Sequence, residues 1–149
     1  MLFMFDDSYF MKQALLEAQK AFDKDEVPVG AVIVCDNRII ACAHNLTECL
    51  TDVTAHAEMQ AITAAANTLG GKYLPDCTLY VTVEPCVMCA GAIGWAQIGK
   101  VVYGASDEKR GFRQFAPKAI HPKTSVIKGV MEEETADLMK QFFQGKRKS

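Results

Sequence analysis

Apolar positions along the chain follow two rhythms in turn. Residues 7–22, DSYFMKQALLEAQKAF, place Phe10, Ala14, Leu15, Ala18 and Phe22 at helical intervals, which predicts a helix capped by Ser8. Charges, Pro28 and Gly30 in DKDEVPVG end that pattern. AVIVC (31–35) and RIIACAH (38–44) are β-rich runs parted by Asp36-Asn37, the pattern of a hairpin. A second helical stretch covers 53–68 and stops at Gly70-Gly71. CTLYVTV (77–83) reads as a third strand running into Glu84-Pro85. Residues 86–97 suit a helix with Pro85 at or near its first position. KVVYGA (100–105) predicts a fourth strand, and TSVIKGV (124–130) a fifth. Between them, 106–122 carries Gly111, Pro117 and Pro122 and reads as a loop with at most one short turn. Residues 132–144 form a last helix with acids at its start, where the helix dipole favours them.

Helices alternating with strands after an initial hairpin predict an α/β fold with a mixed sheet, in one domain spanning 1–149. Half of the residues are apolar and 23% are charged, ordinary for a globular chain. No apolar run approaches the ~20 residues of a bilayer span. The opening MLFMF runs straight into Asp6-Asp7, without the basic region and cleavage site of a signal peptide. A cytoplasmic protein with no membrane partner is the expectation. Six cysteines occur, but a disulfide framework does not suit this length without export. Cys35 and Cys42 lie in apolar stretches and read as small buried hydrophobes. Cys49 and Cys77 flank loops without an assigned role.

Net charge is −2, yet it is unevenly spread. Residues 1–99 hold 5 basic against 12 acidic side chains, and residues 100–149 hold 11 against 6. A basic C-terminal part suggests that one end of the fold meets an anion; scattered solvated lysines are the plainer explanation.

TAHAEMQAI (54–62) and EPCVMCAGAI (84–93) bear the chemistry. Cys86 and Cys89, three apart at a helix start, put both sulfurs on one side of its first turn. His56 stands near another helix start. Two helix N-termini aimed at one place would supply positive potential that stabilises thiolates. Two thiolates and one imidazole are three zinc ligands, leaving a fourth position open as in a catalytic site. A carboxylate at Glu58 could relay a proton beside that position. Taken singly, CxxC is often redox or structural, and HxE occurs by chance. In this order, with Pro85 before the first cysteine, they match the H-x-E…P-C-x-x-C signature of zinc deaminases.

The chain resembles the cytidine-deaminase superfamily, and within it the bacterial tRNA-specific adenosine deaminases. The resemblance rests on EVPVGAVIV, TAHAEMQAI, TLYVTVEPCVMCAGAI, IGKVVYGA and a last helix with FF before basic residues. It implies a three-layer α/β/α sandwich around a mixed five-stranded sheet and one Zn²⁺ per subunit, held by His56, Cys86 and Cys89. It also implies Glu58 as general acid/base in a hydrolytic deamination of wobble adenosine to inosine. Asn45 would hydrogen-bond the base, although it could equally be a turn former. Val29, Ala57, Val83 and Pro85 would surround the base. The implied partner is a tRNA anticodon stem-loop, since an unpaired loop can splay a base into a closed pocket. Lys109, Arg110, Arg113, Lys146, Arg147 and Lys148 are candidates for phosphate contacts. Phe142 and Phe143 could stack on RNA, with at least one expected to anchor the helix. A homodimer joined around Gly91–Ile98 is implied as well.

Two stretches depart from the family pattern. GWAQI (94–98) has Trp95 where many tRNA enzymes have a histidine nearby, and guanine deaminases carry an aromatic there. KRGFRQFAPKAIHP (109–122) is bulkier than the usual small-residue loop. These leave a free-base or nucleoside deaminase, acting on guanine or cytosine, as an alternative. A non-enzymatic zinc module for nucleic acid would need a fourth protein ligand and would have no use for Glu58.

Overall fold

Asp36 and Asn37 both take left-handed backbone angles, φ 52° and 61°, as a two-residue hairpin turn needs. They join β1 (Gly30–Cys35) to β2 (Arg38–His44) in antiparallel register, Ala31 opposite Ala43. The computed structural model that shows this describes residues 4–148, with side chains described through Lys146. β3 (Cys77–Val83) pairs antiparallel to β1, while β4 (Lys100–Ala105) and the short β5 (Ser125–Ile127) add in parallel. The order is β2-β1-β3-β4-β5, a mixed five-stranded sheet as expected.

Strand alternation divides the core into two layers. Val32, Val34, Tyr80 and Val102 face α1 (Asp7–Asp23), whose Phe10, Met11 and Ala14 cover them. Ala31, Ile33, Leu79, Val81 and Val101 face the other way, onto α2 (Ala57–Leu69) and α3 (Val87–Ala96). α5 (Glu132–Lys148) joins α1 on the first face through β4, and the single turn α4 (Phe112–Phe115) leans on α3. Helices therefore lie on both faces of the sheet. Helix α1 approaches β1 so closely at Gly30 that a Cβ there would collide with the Ala14 carbonyl and the Ala18 amide. Among the described residues no helix is long and apolar enough to cross a membrane.

Several boundaries differ from the sequence reading. The α1 cap is Asp6, not Ser8: the Asp6 carboxylate accepts the Tyr9 amide at 2.9 Å. α2 begins at Ala57 rather than near 53, because Asp52 accepts both the Thr54 amide (2.8 Å) and hydroxyl (2.7 Å) and holds those residues in a turn. Its end at Gly70, φ 72°, is the left-handed stop expected. Pro85 precedes the α3 cap, Cys86, instead of opening the helix. α5 runs past 144 to Lys148. Cys42 is exposed and Cys35 half-buried, against the expectation of buried thiols; β2 is an edge strand with one open side.

Candidate active site

His56 and Cys86 occupy the same local position on two different helices. Each is an N-cap with extended backbone, φ −73° and ψ 156° for His56, φ −73° and ψ 175° for Cys86. Neither side chain caps its own helix, so both are available to a ligand. Gln60 holds the His56 segment: its side-chain amide donates to the carbonyls of His44 (2.8 Å) and Ala55 (3.1 Å), tying the start of α2 to the end of β2. Because α2 and α3 pack on the same sheet face, their N-termini meet beyond the ends of β2 and β3.

There the His56 Nδ1 lies 3.6 Å from the Cys86 sulfur and 3.5 Å from the Cys89 sulfur. The three donor atoms all lie within 4.8 Å of one another. In a tetrahedral zinc site, Zn–S of ~2.3 Å and Zn–N of ~2.05 Å give an S···N edge of about 3.6 Å, which these separations match. The charge state fits as well. Hydrogen bonding from Cys89 and from His56 pulls the Cys86 thiol down to about 4 against the opposing effect of burial. The Cys86 thiolate and burial push the Cys89 thiol far above the ordinary thiol range, and the Cys86 contact raises His56. Deprotonated, the two sulfurs and the imidazole would present their donor atoms to a divalent cation. These three residues could hold a zinc ion with one direction left open.

Glu58, in the first turn of α2, is 4% exposed. Burial pushes its carboxyl up to about 7, helped by the Cys86 charge and opposed by its own backbone amide, His56 and Cys89. It shares a cleft of ≈ 1170 Å³ with His56 and Cys86. Val29, Ala57, Val83 and Asn45 line this cleft, and Pro85 does not. The Pro85 carbonyl instead accepts the Phe112 amide at 2.9 Å, which turns the residue into a loop anchor. Asn45 is buried, and its Oδ1 accepts the Thr47 amide at 3.3 Å.

The basic candidates separate. Lys109, Arg110 and Lys146 line the cleft. Arg113 does not: it is exposed, and its guanidinium lies 3.6 Å from the Glu84 carboxylate and over the Tyr103 ring. Lys146 pairs with Asp25 at 2.6 Å. The side chains of Arg147 and Lys148 lie outside the described residues. Phe142 is buried against Phe22 and anchors α5, whereas Phe143 lines the cleft. Lys140 lines it too and was missed, though its three-residue spacing from Phe143 was the available signal. Gln60, Glu26 and Glu84 were also overlooked, although each lies inside a quoted stretch, EVPVGAVIV, TAHAEMQAI or EPCVMCAGAI. Trp95 stands 85% exposed on α3.

A family model described as the cytidine and deoxycytidylate deaminase zinc-binding region matches residues 4–105. The tRNA-specific adenosine deaminase of Agrobacterium fabrum is 46% identical over 149 residues, covering 97% of this chain and 98% of that protein. A solved chain from work on A-to-I editing by tRNA:A34 deaminases at the wobble position superposes with TM-score 0.82 at 46% identity, covering 88% of this chain and 99% of the other. Guanine deaminase from Bacillus subtilis superposes with TM-score 0.66 at 42% identity, covering 68% of this chain and 66% of the other.

Proposed function

This chain belongs to the cytidine and deoxycytidylate deaminase zinc-binding family, and on that premise we propose that it is a single-domain zinc hydrolase converting adenosine to inosine at the wobble position of a tRNA anticodon. What carries the reading is Glu58, buried beside three converging donor atoms, in a cleft that also takes in Lys109, Arg110 and Lys140.

Zinc held by His56, Cys86 and Cys89 supplies Lewis acidity that brings the ionisation of water near neutral pH. Glu58 takes the proton that water gives up and passes it to N1 of adenine as an oxygen bonds to C6. A second proton passes through Glu58 to the amino group, the C6–N bond breaks, and ammonia leaves inosine behind. Asn45 has its Oδ1 engaged by Thr47, so its NH₂ is the end that donates to the base. Val29 and Val83 bound the base with apolar surface, and the Ala57 amide sits beside the reacting atoms. Lys109, Arg110 and Lys140 meet phosphates of the anticodon loop, and Phe143 offers a face for a neighbouring base.

Two such chains pair through α3. Val87 (44% exposed) and Trp95 (85% exposed) lie on its open side together with Gly91, which has nothing within 4 Å of its Cβ position. This apolar surface on a strongly apolar helix supports a homodimer. Light scattering at micromolar concentration gives twice the chain mass if this is right.

The deciding assay incubates zinc-loaded protein with an anticodon stem-loop bearing wobble adenosine and reads inosine by mass. Guanine, cytosine and their nucleosides run in parallel, with Glu58→Ala as the blank. Inosine in the RNA alone is the expected result. Ammonia from guanine with untouched RNA would transfer the function to a free base and make Trp95 and the 109–122 loop its selectivity elements.

A further inference from the structure

Two buried carboxylates each grip a loop that walls the cleft: Glu26 outside its lining, and Glu84 within it, two residues before Cys86. Glu26 is 1% exposed and accepts the amides of Glu48 (3.0 Å) and Cys49 (2.7 Å). Glu84 is 5% exposed and accepts the amides of Asp107 and Arg113, both at 3.1 Å. The first loop follows β2 and carries Asn45 and Thr47 to one wall; the second follows β4 and carries Asp107, Lys109 and Arg110 to another. Neither loop has a strand ladder along its length to hold it. A buried carboxylate is costly unless well hydrogen-bonded, and two backbone amides per carboxylate are strong, charge-assisted partners.

The Glu84 grip has further support from its loop. Gly111 rests so close that a Cβ would collide with the Glu84 carboxylate. An isolated bridge pairs Gly111 with Cys86, and the Phe112 amide donates to Pro85 at 2.9 Å. The 106–113 loop is therefore fastened to the same backbone that presents Cys86. Glu26, for its part, immediately precedes Val27 and Val29 of the opposite wall.

We propose that Glu26 and Glu84 are positioning residues: through backbone amides they hold the two loop walls of the cleft at a set separation, and so determine how tightly the RNA strand is gripped. The idea rests on the RNA reading above and extends it to two carboxylates outside the donor set. Glutamine in either place keeps the volume but turns one acceptor into an NH₂ that confronts a backbone N–H.

Glu26→Gln and Glu84→Gln are compared with the zinc-loaded wild type by amide hydrogen exchange and by kinetics on the wobble-adenosine stem-loop. At the Glu48 and Cys49 amides in the first variant, and at Asp107 and Arg113 in the second, protection falls at least about tenfold while β3 amides hold theirs. KM for the stem-loop rises about tenfold, and kcat falls by less than threefold. Arg113→Gln, altering only a half-exposed partner of Glu84, loosens the 106–113 amides more mildly and guards against a Glu84 variant that does not fold. Unchanged loop protection, or protection lost equally across β1 and β3, overturns the proposal, as does a loss confined to kcat. A wild type that makes no inosine in RNA would instead sink the functional reading, and the exchange data would still report on the two grips.

Discussion

The His56 imidazole nitrogen and the Cys89 sulfur lie 3.5 Å apart although 33 residues separate them. One sits at the start of α2 and the other in the first turn of α3, so an ion bound between them would tie the two helices together. Removing it should loosen the site as well as silence it. Wild-type protein is expected to bind one zinc per chain by elemental analysis, and His56→Ala or Cys89→Ser to retain almost none. Chelated wild type should melt about 5–10 °C lower than the zinc-loaded form, from the linkage of a ligand present well above its dissociation constant.

Glu58 is buried and is not among the three converging donors, and in the proposed reaction it moves the proton. Glu58→Gln should keep full zinc content and lose about 10²–10⁴-fold in single-turnover inosine formation. Its melting temperature should equal or exceed that of the wild type, since a neutral amide replaces a desolvated acid. A variant that lost zinc along with activity would move Glu58 into the ligand set.

Lys109 and Arg110 line the cleft, while Arg113 lies outside its lining and is paired with Glu84. Lys109→Ala and Arg110→Ala should each weaken stem-loop binding and flatten the slope of log affinity against log salt by about 0.7, the loss of one phosphate contact to a single strand. Arg113→Ala should leave that slope alone. Filter binding from low to moderate salt separates the two behaviours.

Glu17 on α1 meets Lys20 at 2.6 Å and the His44 Nδ1 at 3.0 Å. Burial pushes its carboxyl up, but the hydrogen bonds and charges of Lys20 and His44 together prevail, and the net value falls below the ordinary 4.5. A depressed carboxyl stabilises the fold above its unfolded value, and that contribution is lost as pH falls through the folded value. Glu17→Gln should therefore be less stable than wild type near pH 7, by roughly 1 kcal/mol. Below both values the difference should shrink. Urea unfolding at pH 7 and pH 3 makes the comparison.

Element order was legible in the chain because it is written in local periodicity. The alternation in 77–83 and the helical spacing in 7–22 each depend on neighbours a few positions away. Caps were less so: Asp6 and Ser8 are both good caps, and only the Tyr9 amide chose between them. Burial of thiols was misjudged at Cys42, because no local pattern says that β2 lies at the edge of the sheet.

The sequence by itself determined the donor set and its chemistry: one imidazole, two thiols three apart, a nearby acid, and the order in which they come. It determined too that a hairpin starts the sheet, since Asp36-Asn37 tolerate the left-handed turn. Only the tertiary structure decided that His56 and Cys86 become caps of two helices on one sheet face, that Arg113 pairs with Glu84, and that the Glu26 and Glu84 carboxylates accept amides from the two loops beside the cleft. The physical reason is range. Spacing along the chain governs what lies within one turn or strand, whereas contacts across 20 or more residues, such as Glu26 to Cys49 at a separation of 23, exist only once the sheet has brought its loops together.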